Sequence, residues 1–235
     1  FIFIVGIILL ATMTLLPPFM QGLMGYPVID VGYLLAPRGV GTMFAMMLVG
    51  RLSGRVDVRI LILLGLLLTS FSMWEMTLFN TDISSWDIVR TGIVQGLGLG
   101  FIFVPLSTIT FATLAPRYRN EGTALFSLVR NIGSSIGISV VITYLAQRTQ
   151  MNHEVFASYI TPFNAGLQQG MGTAALVTPK GLAMLNGEVT RQASLLAYLQ
   201  DFRLMMWVSL CAIPLVLLLK APKRGGGKEA LAILE

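Results

Sequence analysis

Six long apolar runs constrain the fold of this chain more than any other feature. A membrane-spanning helix needs about 20 apolar residues, because each residue rises 1.5 Å through a hydrocarbon core about 30 Å thick. Such runs lie at residues 1–24, 32–52, 60–79 and 202–219, and in both arms of a hairpin between residues 86 and 146. Only helices and closed barrels satisfy their backbone polar groups in lipid. The pattern predicts an all-α polytopic membrane protein with six transmembrane helices.

The composition excludes a water-soluble domain. Of the 235 residues, 55% are hydrophobic and 11% are charged, whereas soluble domains carry about 25% charged residues. A single cysteine, Cys211, excludes a disulfide framework, and a single histidine, His153, leaves no cluster of metal ligands. We expect no metal, no cofactor and no nucleic-acid partner; the lipid bilayer is the expected surrounding.

The distribution of polar residues divides the chain into four segments. Residues 1–146 hold five transmembrane helices, and residues 147–200 are predicted to form an extracytoplasmic loop with a short amphipathic helix near residues 182–199. Residues 201–220 hold the last transmembrane helix, and residues 221–235 form a flexible cytoplasmic tail rich in glycine. Because the chain begins inside an apolar run without a methionine, we expect it to be the C-terminal part of a longer protein.

The basic residues predict the orientation in the membrane. Lys and Arg favour the cytoplasmic side of short loops. Nine of the 16 basic residues fall on the side of the tail: Arg51, Arg55, Arg59, Arg117, Arg119, Lys220, Lys223, Arg224 and Lys228. Four fall on the opposite side: Arg148, Lys180, Arg191 and Arg203. The asymmetry predicts that both ends of the chain are cytoplasmic, and it accounts for the net charge of +5.

Three arginines lie inside the apolar runs and are candidates for a transport cavity. An arginine in hydrocarbon is costly, so it usually faces a cavity or a partner. Arg130 lies roughly 12 Å from the predicted membrane entry, close to the midplane. Arg90 lies near the outer edge, where it could instead pair with Asp87 or extend to the interface. The full set of cavity candidates is Arg130, Asn131, Gln95, Arg90 and Arg38.

Two carboxylates near the outer boundary are candidates for proton transfer or ion pairing. Glu75 lies beside Trp74 at the end of the third run, where desolvation would allow it to titrate near neutral pH. A solvated carboxylate at the membrane rim is the alternative reading of Glu75. Asp87 lies one helical turn before Arg90 and is a candidate ion-pair partner.

Two glycine ladders lie in the hairpin. Gly92, Gly96 and Gly100 repeat every four residues in the first arm, and Gly133 and Gly137 do so in the second. Small residues on one helix face allow close approach of two backbones. We predict that these glycines serve helix packing, which is compatible with a sliding contact during transport.

The turn between the second and third runs resembles the signature loop of the major facilitator superfamily. Gly50, Arg55 and Arg59 match its pattern, whereas Gly54 stands where the family has aspartate and Asp57 stands where it has glycine. The resemblance implies a charged latch between helices during alternating access. The residues of this gating loop are Gly50, Arg51, Arg55, Asp57 and Arg59. An ordinary positively charged cytoplasmic turn would carry similar residues.

A wider resemblance covers nearly the whole chain. It rests on residues 15–26 (LLPPFMQGLMGY), 36–41 (APRGVG), 50–55 (GRLSGR), 90–105 (RTGIVQGLGLGFIFVP), 130–137 (RNIGSSIG) and 191–202 (RQASLLAYLQDF). In this order they resemble the C-terminal half of EmrB/QacA-type drug:proton antiporters, the fourteen-helix branch of the superfamily.

The resemblance implies export of small amphipathic compounds driven by the proton gradient, in the cytoplasmic membrane of a bacterium. It also implies an N-terminal half of the same transporter and, in relatives from Gram-negative bacteria, a periplasmic adaptor and an outer-membrane channel. The acidic residues usually tied to proton coupling belong to that N-terminal half.

Other functions remain as alternatives. An uptake or metabolite carrier of the same superfamily would share every feature described so far. A membrane scaffold without transport is a second alternative, although it has little reason to keep arginines inside its helices. A membrane enzyme is disfavoured, because the sequence contains no nucleophile motif and no set of metal-binding residues.

Overall fold

The fold is a bundle of six long helices, as the apolar runs predict. The computed structural model describes residues 1–52, 55–112, 114–161 and 178–218. Its helices are α1 (Ile2–Pro18), α2 (Val28–Leu52), α3 (Val58–Met76), α4 (Ser85–Ala112), α5 (Arg119–Ser158) and α6 (Pro179–Ala212). Each, with the short turns that extend α1 and α6, is long and apolar enough to cross a membrane. The all-α membrane architecture is therefore confirmed.

Short turns connect and extend these helices. Pro17 and Pro18 end α1, and a π-helical turn follows at Phe19–Leu23. Proline lacks an N–H donor, so the regular hydrogen-bond ladder cannot continue unchanged through it. A glycine at the left-handed φ of +73°, Gly25, then reverses the chain before α2. Single 3₁₀ turns at Pro116–Tyr118 and Pro214–Leu218 precede α5 and follow α6.

The helices pack in an order that differs from their order in the sequence. α2 packs on α4, α4 on α3, α3 on α6, α6 on α5 and α5 on α1. α1 also touches α4 and α6, and so closes the arrangement on one side. α1 and α2 are thereby left as neighbours without extensive direct packing, with α4 behind them. This gap between α1 and α2 forms the cleft described below.

Aromatic side chains fill the core at one end of the bundle. Phe19 packs edge-on against Tyr198 and Phe202, at ring-centre distances of 5.4 and 6.0 Å. Phe79, just after α3, lies 6.3 Å from Phe202. Edge-to-face contacts of this kind add to the free energy gained from burying the rings. They fix the end of α1 against α3 and α6.

Residues 147–200 differ from the predicted loop with a short amphipathic helix. α5 continues without interruption to Ser158, and α6 begins at Pro179, so both helices extend well beyond the predicted spans. Asn152 donates a hydrogen bond to the Ala193 carbonyl, and His153 bonds Asn186 at 3.0 Å. Such contacts between two helices let polar sequence remain helical, which hydropathy alone does not reveal. Residues 162–177 and 219–235, including the predicted tail, lie outside the described residues.

Candidate functional site

A cleft of about 450 Å³ opens between α1 and α2. Its walls are mostly apolar, and its back is formed by Leu99 and Phe103 of α4. Val5, Leu9 and Met13 contribute from α1, Leu35, Ala36, Arg38, Gly39, Thr42 and Met46 from α2, and Arg130 from α5. Ligand pockets in proteins are typically about 300–1,000 Å³, apolar, and equipped with a few polar groups. This cleft fits that description.

Arg38 is the most buried basic residue of the cleft. Its side chain belongs to α2, the residue is 6% exposed, and its Nη2 atom has no hydrogen-bond partner among the described residues. Removing an ion from water costs several kcal/mol unless a partner compensates. The unpartnered guanidinium of Arg38 is therefore the group of this mostly apolar cleft that a complementary partner would stabilise most.

Arg130 brings the second guanidinium to the same cleft from α5. The residue is half-buried. Its backbone carbonyl accepts a hydrogen bond from the Ser134 hydroxyl, which also lies 3.1 Å from the Gly6 carbonyl of α1. These contacts fix α5 against α1 at the level of Arg130.

Glycines hold the helices that carry both arginines. Gly96 of α4 lies directly against the Arg38 carbonyl, and Gly6 of α1 lies directly against the Arg130 carbonyl. A Cβ atom at either glycine would overlap that carbonyl oxygen. Since backbone atoms cannot move aside as a flexible side chain can, both crossings require glycine.

The other ladder glycines differ in how closely they are packed. A Cβ at Gly100 would lie 2.5 Å from the Cβ of Ala45 in α2, and Gly133 and Gly137 lie against Phe3 and Ile7 of α1. By contrast, the nearest atom to a Cβ at Gly92 is 3.8 Å away, an ordinary contact distance. Gly92 is thus the least closely packed of the three ladder glycines in α4.

Gln95, which we predicted to line a cavity, is not among the residues that line this cleft. It is fully buried where α4 meets α1 and α3, with its Nε2 atom 3.3 Å from the Thr12 hydroxyl and 3.9 Å from the Met73 sulfur. The neighbouring Gly96 faces α2, so Gln95, about 100° around the helix, faces the interior instead.

Arg90 also lies away from the cleft, in an ion pair. Its Nη2 atom is 2.7 Å from Glu75 Oε1 and 3.9 Å from Asp87 Oδ1. The Arg90 side chain is 52% exposed, whereas that of Glu75 is 10% exposed. This geometry matches the ion-pair reading of the three residues. Position 90 lies close to the start of α4, away from the residues that line the cleft.

Asn131 is exposed on the outer surface of α5 and does not line the cleft. One residue along a helix rotates the side chain by about 100°, so Asn131 cannot share the direction of Arg130.

The turn with the signature resemblance ends in a capped helix. Asp57 is the N-cap of α3 and accepts a hydrogen bond from the Arg59 backbone N–H at 3.0 Å. Arg51 lies in the last turn of α2, and no atom lies within 4 Å of a Cβ built at Gly50. Arg55 follows Gly54, which lies outside the described residues. The local role of Asp57 is therefore to satisfy an unpaired N–H group at the helix start.

Asp201 is a candidate functional residue that the sequence analysis did not single out. It is fully buried in α6, and neither carboxylate oxygen has a hydrogen-bond partner in the described part of the chain. It shares the buried face of α6 with Ala197, Met205 and Ser209. Position 201 directly precedes the last apolar run. Its spacing of four residues from Ala197 and Met205 was the available signal, but the polar composition of residues 147–200 obscured it.

The position of Asp201 along the membrane normal follows from Ser209. The Ser209 hydroxyl lies 3.4 Å from the Leu66 carbonyl, near the middle of α3. Asp201 is eight residues earlier, hence about 12 Å nearer the end that carries Phe19 and Phe79. It therefore lies in the bundle close to one membrane boundary.

Among the described residues, no three His, Cys, Asp or Glu side chains are grouped as metal ligands.

Six membrane-length helices, four of which line a cleft that contains the buried Arg38, define a polytopic membrane protein of the carrier type. The sequence model of the Major Facilitator Superfamily matches residues 1–138, which is more than half of the chain. The chain belongs to the major facilitator superfamily, and it is a multi-pass membrane protein.

Individual relatives agree with the resemblance to EmrB/QacA-type exporters. The chain is 30% identical over 224 residues to the fatty acid resistance protein FarB of Neisseria gonorrhoeae, covering 93% of this chain and 44% of FarB. It is 24% identical over 220 residues to the multidrug export protein EmrB of Escherichia coli K12, covering 91% and 42%. The EmrB protein of Haemophilus influenzae is 25% identical over 67% of this chain. The chain spans less than half the length of these relatives.

Proposed function

We propose that this chain forms one half of an exporter that moves amphipathic compounds out across the bacterial cytoplasmic membrane. Two of the relatives are named for multidrug export and for fatty acid resistance, and these names support the proposal. The N-terminal half of the same transporter would face the cleft and complete the binding site. Transporters of this kind bind substrate near the membrane midplane between two such halves.

The observation that carries this proposal is the cleft between α1 and α2. It combines apolar walls with two guanidinium groups and opens at the surface of the bundle. A pure scaffold would gain stability by filling such a gap with packed side chains. A cleft kept open beside a buried, unpartnered arginine favours reversible binding of a small molecule.

Alternating access would use the close helix pairs as rigid units. α4 and α2 meet at Gly96, and α1 and α5 meet at Gly6 and Gly133. Backbones in direct contact tend to move together, so these pairs would rock against the opposite half around the cleft. The turn before α3, in which Asp57 is the N-cap, would then move together with these helices at the cytoplasmic side of the membrane.

We propose that Asp201 takes part in proton coupling from this half, in addition to the acidic residues that the resemblance implies for the N-terminal half. A carboxyl group inside a membrane helix is by default a functional residue. Tyr198 lies one turn earlier on the same helix and is buried like Asp201. Glu75 is the weaker candidate because Arg90 already pairs with it. In a bacterium with two membranes, a periplasmic adaptor and an outer-membrane channel would continue the path.

Direction and energy source are testable in cells. The full-length transporter would be produced in an efflux-deficient bacterium loaded with amphipathic dyes. We expect lower steady-state dye content than in cells with an empty vector, and equal content after a protonophore collapses the proton gradient. Higher dye content in producing cells would identify an uptake carrier, and unchanged content across the panel, with the protein in the membrane, would contradict export.

A further inference from the structure

We propose that the cleft binds the anionic head group of a single-chain amphiphile, with Arg38 and Arg130 as its partners. The ligand class is a long-chain carboxylate, with its alkyl chain along the apolar walls. This inference rests on the proposed export function and deepens it, because it names the charge of the substrate.

The first step is the charge of the cleft. Among the described residues that line it, Arg38 and Arg130 are charged and none is acidic. Neither arginine forms an ion pair within the described part of the chain. Within the described residues, the cleft therefore presents two positive charges and no lining carboxylate. A cationic amphiphile would meet repulsion there, whereas an anion would meet attraction from both sides.

The second step is the burial of Arg38. At 6% exposure its guanidinium has largely lost its water, and its Nη2 donor remains unpartnered. A guanidinium offers parallel N–H groups that match the two oxygens of a carboxylate. Binding an anion would restore the hydrogen bond that burial removed. An uncharged head group would restore it only in part, since hydrogen bonds between charged groups are the stronger ones.

The third step is the shape of the remaining cleft. Leu9, Met13, Met46 and Phe103 line it with apolar surface and no competing polar group. Methionine side chains adapt to ligands of different shape, which suits an unbranched alkyl chain. The volume of about 450 Å³ is in the range for a small amphiphile.

The fourth step is the rigidity of both arginine positions. The Arg38 and Arg130 carbonyls lie at the helix crossings of Gly96 and Gly6, where the two backbones are in direct contact. Groups that are fixed before binding lose less conformational entropy on binding. Both arginines thus extend into the cleft from backbone positions that are held by close helix crossings.

The experiment compares three probes that share a twelve-carbon chain: dodecanoate, dodecanol and dodecyltrimethylammonium. Export is measured from efflux-deficient cells that produce full-length transporter, either unchanged or as Arg38→Gln, Arg130→Gln or Arg38→Lys. Arg191→Gln, an exposed arginine of α6, is the matched control. Membrane abundance of each variant is measured in parallel.

We expect Arg38→Gln and Arg130→Gln to lower dodecanoate export about 10- to 100-fold, the effect of losing a hydrogen bond between charged groups. Dodecyltrimethylammonium export should change less than about twofold or increase, because like-charge repulsion is removed. Arg38→Lys should recover part of dodecanoate export, since the charge remains without the fork geometry. Arg191→Gln should leave all three probes unchanged.

Three results would overturn the inference, and they are distinct from failure of the export function. Equal loss of all three probes at normal abundance would show that the arginines are structural or pair with the opposite half. Export of the cation without dodecanoate by the unchanged protein would reject the anion site yet retain export. Loss of dodecanoate binding when phosphatidylglycerol replaces phosphatidylcholine in nanodiscs would assign the site to lipid head groups. Export of none of the probes or dyes would reject the export function itself.

Discussion

Arg38 and Asp201 are the two residues whose environments most clearly differ from ordinary helix packing. Each is buried in a membrane-length helix, and each has polar atoms without a partner among the described residues. Transferring such groups from water without compensation costs several kcal/mol. A chain selected for stability alone would replace them with apolar side chains, and this cost is the basis of the roles proposed above for both residues.

Replacement of Asp201 by asparagine tests the coupling role at the residue scale. Asn is nearly isosteric with Asp and carries no titratable proton. We expect Asp201→Asn to accumulate normally and to lose uphill export driven by a proton gradient in proteoliposomes. Substrate exchange without a gradient should persist, because the binding site lies elsewhere in the bundle.

The matched comparison is Glu75→Gln, which removes the other candidate carboxylate. Because Glu75 pairs with Arg90, we expect proton-driven export to persist in this variant. Loss of coupling in Glu75→Gln together with its retention in Asp201→Asn would reverse the assignment.

At the element scale, the glycine ladder of α4 offers a matched pair of substitutions. Gly96→Ala places a methyl group on the Arg38 carbonyl, whereas Gly92→Ala places one in open contact distance. We expect Gly96→Ala to destabilise the protein by about 1–3 kcal/mol, the usual penalty of overpacking. Gly92→Ala should be neutral or slightly stabilising, since alanine favours helices by about 1 kcal/mol over glycine. Thermal unfolding in detergent measures both.

The two outcomes of this pair separate packing from helix propensity. Equal stability of the two alanine variants would mean that α4 and α2 are not in backbone contact at Gly96. The Arg38 backbone would then not be held by α4, and the anion site would lose that support.

The elements show where sequence patterns were informative and where they were not. Hydropathy located the six helices, because apolar length is a local property. It did not predict that α5 extends to Ser158 or that α6 begins at Pro179. Those polar segments of α5 and α6 are stabilised as helices by hydrogen bonds to each other. The bonded residues are far apart in the sequence, so no single sequence window contains both partners.

At the scale of the whole molecule, the charge of the substrate determines how transport responds to membrane potential. Exchange of one anion outward for one proton inward moves two charges, worth about 4.6 kcal/mol per 100 mV. One-for-one exchange of a cation for a proton moves none. In proteoliposomes with imposed potassium potentials, we expect dodecanoate export to accelerate at negative inside potential. A response equal to that of dodecyltrimethylammonium would contradict the anion site.

The orientation of the bundle is the second prediction at this scale. Arg117 lies in the turn before α5 and Lys180 at the start of α6, so the two positions are at opposite ends of this helix pair. Each would be replaced by cysteine in a protein whose Cys211 is alanine. We expect Lys180→Cys to react with an impermeant maleimide in intact cells, and Arg117→Cys to react only after permeabilisation. The reverse pattern would place the arginine-rich turns outside and reject the orientation inferred from the basic residues.

The sequence by itself determined the membrane class, the number of helices, the family and the presence of costly arginines within the spans. These follow from apolar length, charge and motif order, which are readable along the chain. Only the tertiary structure decided which charged residues meet. It brought Arg38 and Arg130 to one cleft, paired Arg90 with Glu75, and buried Gln95 and Asp201 in the bundle. The reason is that helix rotation and pairing depend on close backbone crossings, and each crossing needs a partner helix distant in sequence.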